Sequence, residues 1–202
     1  MLNVKTKFSI FIVILLIFVF FLWFFISASD KASQGSDIAA GTMNRPARGG
    51  ADAKVVLEVY FDFLCPVCRE TDATLTKIYQ KYGDEIRIEP HYVPTKKSSI
   101  LINASAECAQ RQGKYWEYHD LLFANQEKLT NVSVLQDYAA QVKIDINEFN
   151  NCINSNQTVP AIEYDMNRAT ELKLQDVPHI FANGEEISWQ RPENDIIRFL
   201  AE

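Results

Sequence analysis

Cys65 and Cys68 stand with two residues between them in the run FDFLCPVCRE, Phe61 to Glu70. Only the thiolate of cysteine attacks a disulfide or binds a soft metal, and a free thiol loses its proton near pH ~8.5, so a reactive pair needs a feature that stabilises negative sulfur. Two chemistries use this spacing. Half of a zinc site would require two further soft ligands at suitable intervals. There is no second C-x-x-C, and Cys108, Cys152, His91, His119 and His179 fall on separate expected elements, so no metal is expected. A redox pair needs only a helix that starts at Cys65. Pro66 suits the first helical position, where a missing N–H costs nothing, and it places Cys65 at the N-cap beside unpaired N–H groups and the positive end of the helix dipole. Cys65 then reads as the nucleophile, and Cys68, one turn in, as the thiol that resolves a mixed disulfide. Pro66 and Val67 are the residues between them that could tune the pair, and they bring neither a histidine nor a charge.

The surrounding elements must hold that geometry. Val55 to Phe61 (VVLEVYF) reads as a buried strand, with a helix to follow Cys65 in which Leu75, Ile78, Tyr79 and Tyr82 recur at helical spacing until Gly83. Ile86 to Val93 is the next strand. Helical patterns then cover Ile100 to Gln112, Tyr115 to Asn125, Val132 to Lys143, Ile146 to Ser155 and Pro160 to Leu172. Val177 to Ala182 and Ile187 to Gln190 read as a hairpin around Asn183-Gly184, and Glu193 to Ala201 as a closing helix. This order describes an α/β sheet interrupted by an inserted helical subdomain, about 98–173. A C-x-x-C between the first strand and the first helix is the signature of a thioredoxin-like fold. Such a site carries a proline opposite the cysteines, usually cis, lacking the N–H that could trap the sulfur and leaving adjacent backbone to pair with an extended peptide. Val177-Pro178 opens the hairpin where that proline belongs. Taken alone, Pro178 would read as an ordinary trans proline at the start of an edge strand.

The 202 residues are 48% hydrophobic and 23% charged, a globular composition that excludes collagen-like and largely disordered classes. Phe8 to Ile26 is an apolar run of nineteen residues broken only by Ser9. As a helix it reaches about 28 Å, matching a bilayer, whereas a cleaved signal peptide usually has an apolar core of about 7–15 residues. The expected organisation is a cytoplasmic tail at 1–7, a transmembrane signal-anchor at 8–28, a flexible linker at 29–53 and a folded domain at 54–202. Lys5 and Lys7 orient the tail to the cytoplasm and send the domain to the other side. Cleavage at Ser27-Ala28-Ser29, giving a secreted or periplasmic protein, is the alternative. The formal charge of −6 becomes −8 once Lys5 and Lys7 are set aside, which argues against nucleic-acid binding.

FDFLCPVCRE, AECAQRQGKYWEYHDLLFANQ (Ala106 to Gln126), FNNCINS (Phe149 to Ser155) and VPHIFANGEEI (Val177 to Ile187) resemble, in order, the DsbA-like thiol:disulfide oxidoreductases. The resemblance covers approximately Gly49 to Leu200. It implies a thioredoxin fold with a helical insert, activity outside the cytoplasm, Cys65 and Cys68 as the redox pair and Pro178 as the cis-proline, with Val177 beside it for substrate backbone. It also implies exported thiol proteins as substrates, a quinone-linked membrane protein as the reoxidant, and no organic cofactor. Two positions depart from the family. Val59 stands where an acid is common six residues before the first cysteine, with Glu58 one step out of phase on the opposite strand face. His179 follows the proline where a threonine is common, and could bring a titratable ring near the sulfurs.

Cys108 and Cys152, both in expected helices of the insert, are candidates for a structural disulfide; two free cysteines buried as small hydrophobes are the alternative. The leading functional reading is a membrane-tethered enzyme exchanging its Cys65–Cys68 disulfide with thiols of exported proteins, in the direction of disulfide formation. A reductase or isomerase using the same residues is one alternative, and a non-catalytic membrane-anchored binding protein on the same scaffold is another.

Overall fold

The computed structural model describes residues 45–201; the expected tail, the membrane segment and residues 29–44 of the expected linker lie outside them. Among the described residues no helix is long and apolar enough to cross a membrane.

Among the described residues five strands form one sheet in the order β1-β3-β2-β4-β5: β1 Arg48–Gly49, β2 Val55–Phe61, β3 Ile86–Tyr92, β4 His179–Ala182 and β5 Glu185–Ile187. β2 and β3 run parallel, joined through helix α1, Pro66–Tyr82, and every other pairing is antiparallel. Five helices occupy the interval between β3 and β4: α2 Lys97–Gln110, α3 Tyr115–Ala124, α4 Val132–Gln141, α5 Ile146–Ile153 and α6 Val159–Glu171; α7, Pro192–Ala201, closes the chain.

β2 reads as a continuous apolar run because both of its faces are covered. Val55, Leu57, Val59 and Phe61 join the main core with Leu75 and Ile78 of α1 and the buried side chains of the insert. Tyr60 points the other way, into a smaller cluster with Ala169 of α6 and Phe181 of β4. The insert therefore contributes to both sides of the sheet rather than standing apart from it.

Two expectations are corrected. The linker does not run to Ala53, because Arg48 and Gly49 pair with Ile88 and Arg87 as an edge strand. Gly49 has φ +111°, and a Cβ there would sit 1.9 Å from the Ile86 carbonyl oxygen, so the close approach of β1 to β3 requires glycine. The final hairpin strand is Glu185–Ile187 rather than Ile187 to Gln190. Asn183 and Gly184, at φ 50° and 84°, make a two-residue turn that pairs Ala182 directly with Glu185, so β5 starts as soon as the turn ends. Beyond it the Ser188 N–H donates to Asp195 of α7, which takes the chain out of the ladder.

Candidate active site

Cys65 caps α1 in an extended conformation, φ −89° and ψ 117°, with Pro66 in the first helical turn. The Cys68 N–H donates to Cys65 Sγ at 3.2 Å, so the first turn of the helix points a donor at the sulfur. Cys65 Sγ also lies 3.7 Å from the Val177 carbonyl oxygen. The Val177–Pro178 bond is cis. The structure thus gathers Cys65, Cys68, Val177 and Pro178 from two ends of the chain, and holds both cysteines as free thiols. Pro66 is exposed and Val67 half-buried, and the Val67 carbonyl accepts from Thr71 inside the helix.

The two thiols have unequal surroundings. Cys65 is partly exposed, whereas Cys68 is buried at 2% exposure. Burial pushes the Cys68 thiol well above its ordinary value; a backbone hydrogen bond with Asp62 works against this, while the neighbouring Cys65 sulfur and, least of all, the Asp62 carboxylate add to it.

His179 lies elsewhere than expected. Its Nδ1 is 2.6 Å from Glu186 and its Nε2 3.0 Å from Asp176, so two carboxylates occupy the ring. Its register opposite Tyr60 gives it that residue's sheet face rather than the face of Val59, which lines the cavity behind Cys68. Glu58 is half-buried on the same far face, accepting from the Tyr60 hydroxyl at 2.9 Å. Cys108 and Cys152 are joined in a disulfide across a sequence separation of 44 residues, linking α2 to α5.

Two functional neighbours escaped sequence reasoning. Asp62 is fully buried three residues before Cys65. It accepts from Leu64 N at 2.9 Å, Thr95 N at 2.8 Å, Ser99 Oγ at 2.7 Å and the Thr95 hydroxyl, so four donors sustain one carboxylate beside Cys68. An acid inside an otherwise apolar run was the available signal. Gln126 is the second. Its buried amide donates to the Phe63 and Cys65 carbonyls at 2.7 and 2.8 Å, pinning the loop that carries the nucleophile to the insert. Nothing in its own spacing marks it.

The model of the family described as Thioredoxin matches residues 42–202. A probable disulfide bond formation protein D of Bacillus cereus is 27% identical over 168 residues, covering 77% of each chain. Two crystal structures share the fold: oxidised BdbD from Bacillus subtilis, with TM-score 0.70 at 21% identity over 78% of this chain and 94% of that one, and alpha-DsbA1 from Wolbachia pipientis, with TM-score 0.70 at 18% identity over 82% and 95%.

Proposed function

The chain belongs to the thioredoxin family, as a DsbA-like protein thiol:disulfide oxidoreductase, and we propose that it exchanges its Cys65–Cys68 disulfide with cysteines of exported proteins outside the cytoplasm, chiefly to oxidise them. The observation that carries this reading is the placement of Cys65: half-exposed, at a helix N-terminus, with the Val177 backbone beside its sulfur and Cys68 buried behind it. A substrate thiolate attacks Cys65 and displaces Cys68, giving a mixed disulfide through Cys65. A second substrate thiolate then attacks its own sulfur in that mixed disulfide, leaving an oxidised substrate and two enzyme thiols. The Val177 main chain, next to the reacting sulfur, is suited to strand-like pairing with the incoming peptide. Reoxidation passes the electron pair to a membrane quinone-linked partner, and the signal-anchor at 8–28 holds the enzyme at the membrane where that partner lies.

Trapping with the full chain tests this. Cys68→Ser should accumulate mixed disulfides through Cys65, because the resolving thiol is gone, and Cys65→Ser should accumulate none. Equal trapping by both variants, or a wild-type chain with no reversible dithiol in redox titration, overturns the reading.

A further inference from the structure

The 3-10 turn Gln126–Lys128 follows α3 in the insert, yet it touches the redox element at two places. Gln126 is buried at 7% exposure, and its side-chain NH2 group donates to the Phe63 carbonyl at 2.7 Å and to the Cys65 carbonyl at 2.8 Å. Both partners only accept, so the amide has one orientation that serves them. The Cys65 carbonyl also accepts from Arg69 N at 3.2 Å, the first helical bond of α1, and Gln126 takes its second lone pair. The neighbouring Glu127 pairs with the Arg69 side chain, one turn after Cys65. That ion pair is exposed and screened by water, so it adds little. The buried contact has the larger effect.

The loop before α1 is gripped from two sides. From the strand side, the Asp62 carboxylate accepts from Leu64 N at 2.9 Å and the Asp62 carbonyl from Cys65 N at 3.0 Å. From the insert side, Gln126 holds the Phe63 and Cys65 carbonyls. Three consecutive peptide planes, 63–64, 64–65 and 65–66, are fixed in this way, and between them they set φ and ψ of Leu64 and Cys65. Those angles aim the Cys65 side chain. Its sulfur stands between two opposing groups: the Cys68 N–H at 3.2 Å, which favours the thiolate, and the Val177 carbonyl oxygen at 3.7 Å, which favours the thiol. A small rotation at Cys65 trades one for the other. We propose that Gln126 is a positioning residue for Cys65, holding its sulfur on the first-turn N–H and so maintaining it as nucleophile and leaving group.

The proposal rests on the oxidoreductase reading and adds to it a residue of the insert. In substrate oxidation the second substrate thiolate attacks its own sulfur in the mixed disulfide; the substrate–Cys65 S–S bond breaks and its electron pair stays on Cys65. That step is fast where the leaving sulfur bears negative charge well, which the first-turn N–H supplies. Gln126 bonds the Cys65 backbone and not its sulfur, so it acts through the geometry of the cap. Its reach is long in sequence, 61 residues to Cys65 and 63 to Phe63, and the insert thereby shares in how the redox helix begins.

The test is the redox equilibrium of the full-length protein with glutathione, in which the enzyme disulfide takes two electrons from two glutathione thiols to give the enzyme dithiol and glutathione disulfide. Gln126→Met keeps length and bulk but has no donor. It should shift this equilibrium toward the enzyme disulfide by about fivefold, within the range one hydrogen bond sustains, and slow alkylation of Cys65 at pH ~6 by about the same factor in a Cys68→Ser background. Gln126→Asn, which retains the amide one methylene shorter, should recover part of both changes. Glu127→Gln, which breaks only the exposed pair with Arg69, should leave both within about twofold. A Gln126→Met chain with the wild-type equilibrium and alkylation rate, whatever its urea midpoint, overturns the proposal and leaves the oxidoreductase reading standing. So does an equal shift in Glu127→Gln, which would assign the effect to the turn as a whole. Should Gln126→Met not fold, Gln126→Asn decides in its place, and wild-type values for both quantities overturn the proposal. A wild-type chain that reaches no reversible equilibrium with glutathione overturns both readings.

Discussion

Burial sets the character of the resolving thiol, and the Asp62 carboxylate adds a smaller push in the same direction. That carboxylate, held by four donors from the strand end, the loop after β3 and the start of α2, sits where it opposes ionisation of Cys68. Asp62→Asn should therefore speed alkylation of Cys68 at neutral pH in a Cys65→Ser background, while lowering stability by about 1–3 kcal/mol because the new NH2 group faces donors. Alkylation kinetics and urea denaturation read the two effects separately; no gain in Cys68 reactivity would refute the assignment. Glu107, in α2, carries a different charge effect. Burial pushes its carboxyl up from 4.5 to about 7, with Arg111 and Arg45 opposing. Between those values the folded state binds more protons than the unfolded state, so stability is lost as pH rises through the window. Glu107→Gln removes that loss. The gain over wild type in urea denaturation should grow by about 2 kcal/mol between pH ~5 and pH ~8, after allowance for partial solvent screening.

At the level of elements, the insert acts as a brace for the redox helix. Gln126 reaches from the end of α3 to the carbonyls of the Cys65 loop, and the Cys108–Cys152 bond ties α2, whose first turn contacts Asp62, to α5. Closing a loop of 44 residues removes about 4 kcal/mol of chain entropy from the unfolded state, so Cys108→Ala should lose about 2–4 kcal/mol in urea denaturation under non-reducing conditions, with Cys65 alkylation still proceeding. The elements themselves were largely legible, because β2, α1 and the insert helices carry the periodicity of surfaces buried on known faces. Cys65, Cys68 and Pro178 were legible because each residue type does something no other does at its place. Asp62 and Gln126 were not, since their roles come from contacts over long sequence separations, 37 residues for Asp62 to Ser99 and 61 for Gln126 to Cys65. Alternation did place Glu58 on the far face of β2, where it accepts from the Tyr60 hydroxyl.

Across the whole molecule, the beginning of the described chain is fastened to its far side. Arg45 pairs with Asp165 of α6 and donates to the Pro90 carbonyl, and the same fully buried Asp165 accepts from Tyr92 N and lies 2.9 Å from His91 Nδ1. Removing one partner of a buried ion pair leaves the other charge uncompensated, so Arg45→Ala should cost about 3–5 kcal/mol, readable as a lower urea midpoint. A loss below about 1 kcal/mol would show that the first described residues are only loosely joined to the domain. The order of the four cysteines has a consequence for manufacture. Of three possible pairings, the structure has the one in which each cysteine's partner is the next to be synthesised, if the redox pair oxidises as Cys65–Cys68. Because synthesis runs from the N-terminus, Cys65 and Cys68 are made before Cys108, so under oxidising conditions the short loop can close first and Cys108 then meets only Cys152. The correct bonds follow from the sequence of arrival, and a newborn molecule needs no reshuffling by another copy of itself.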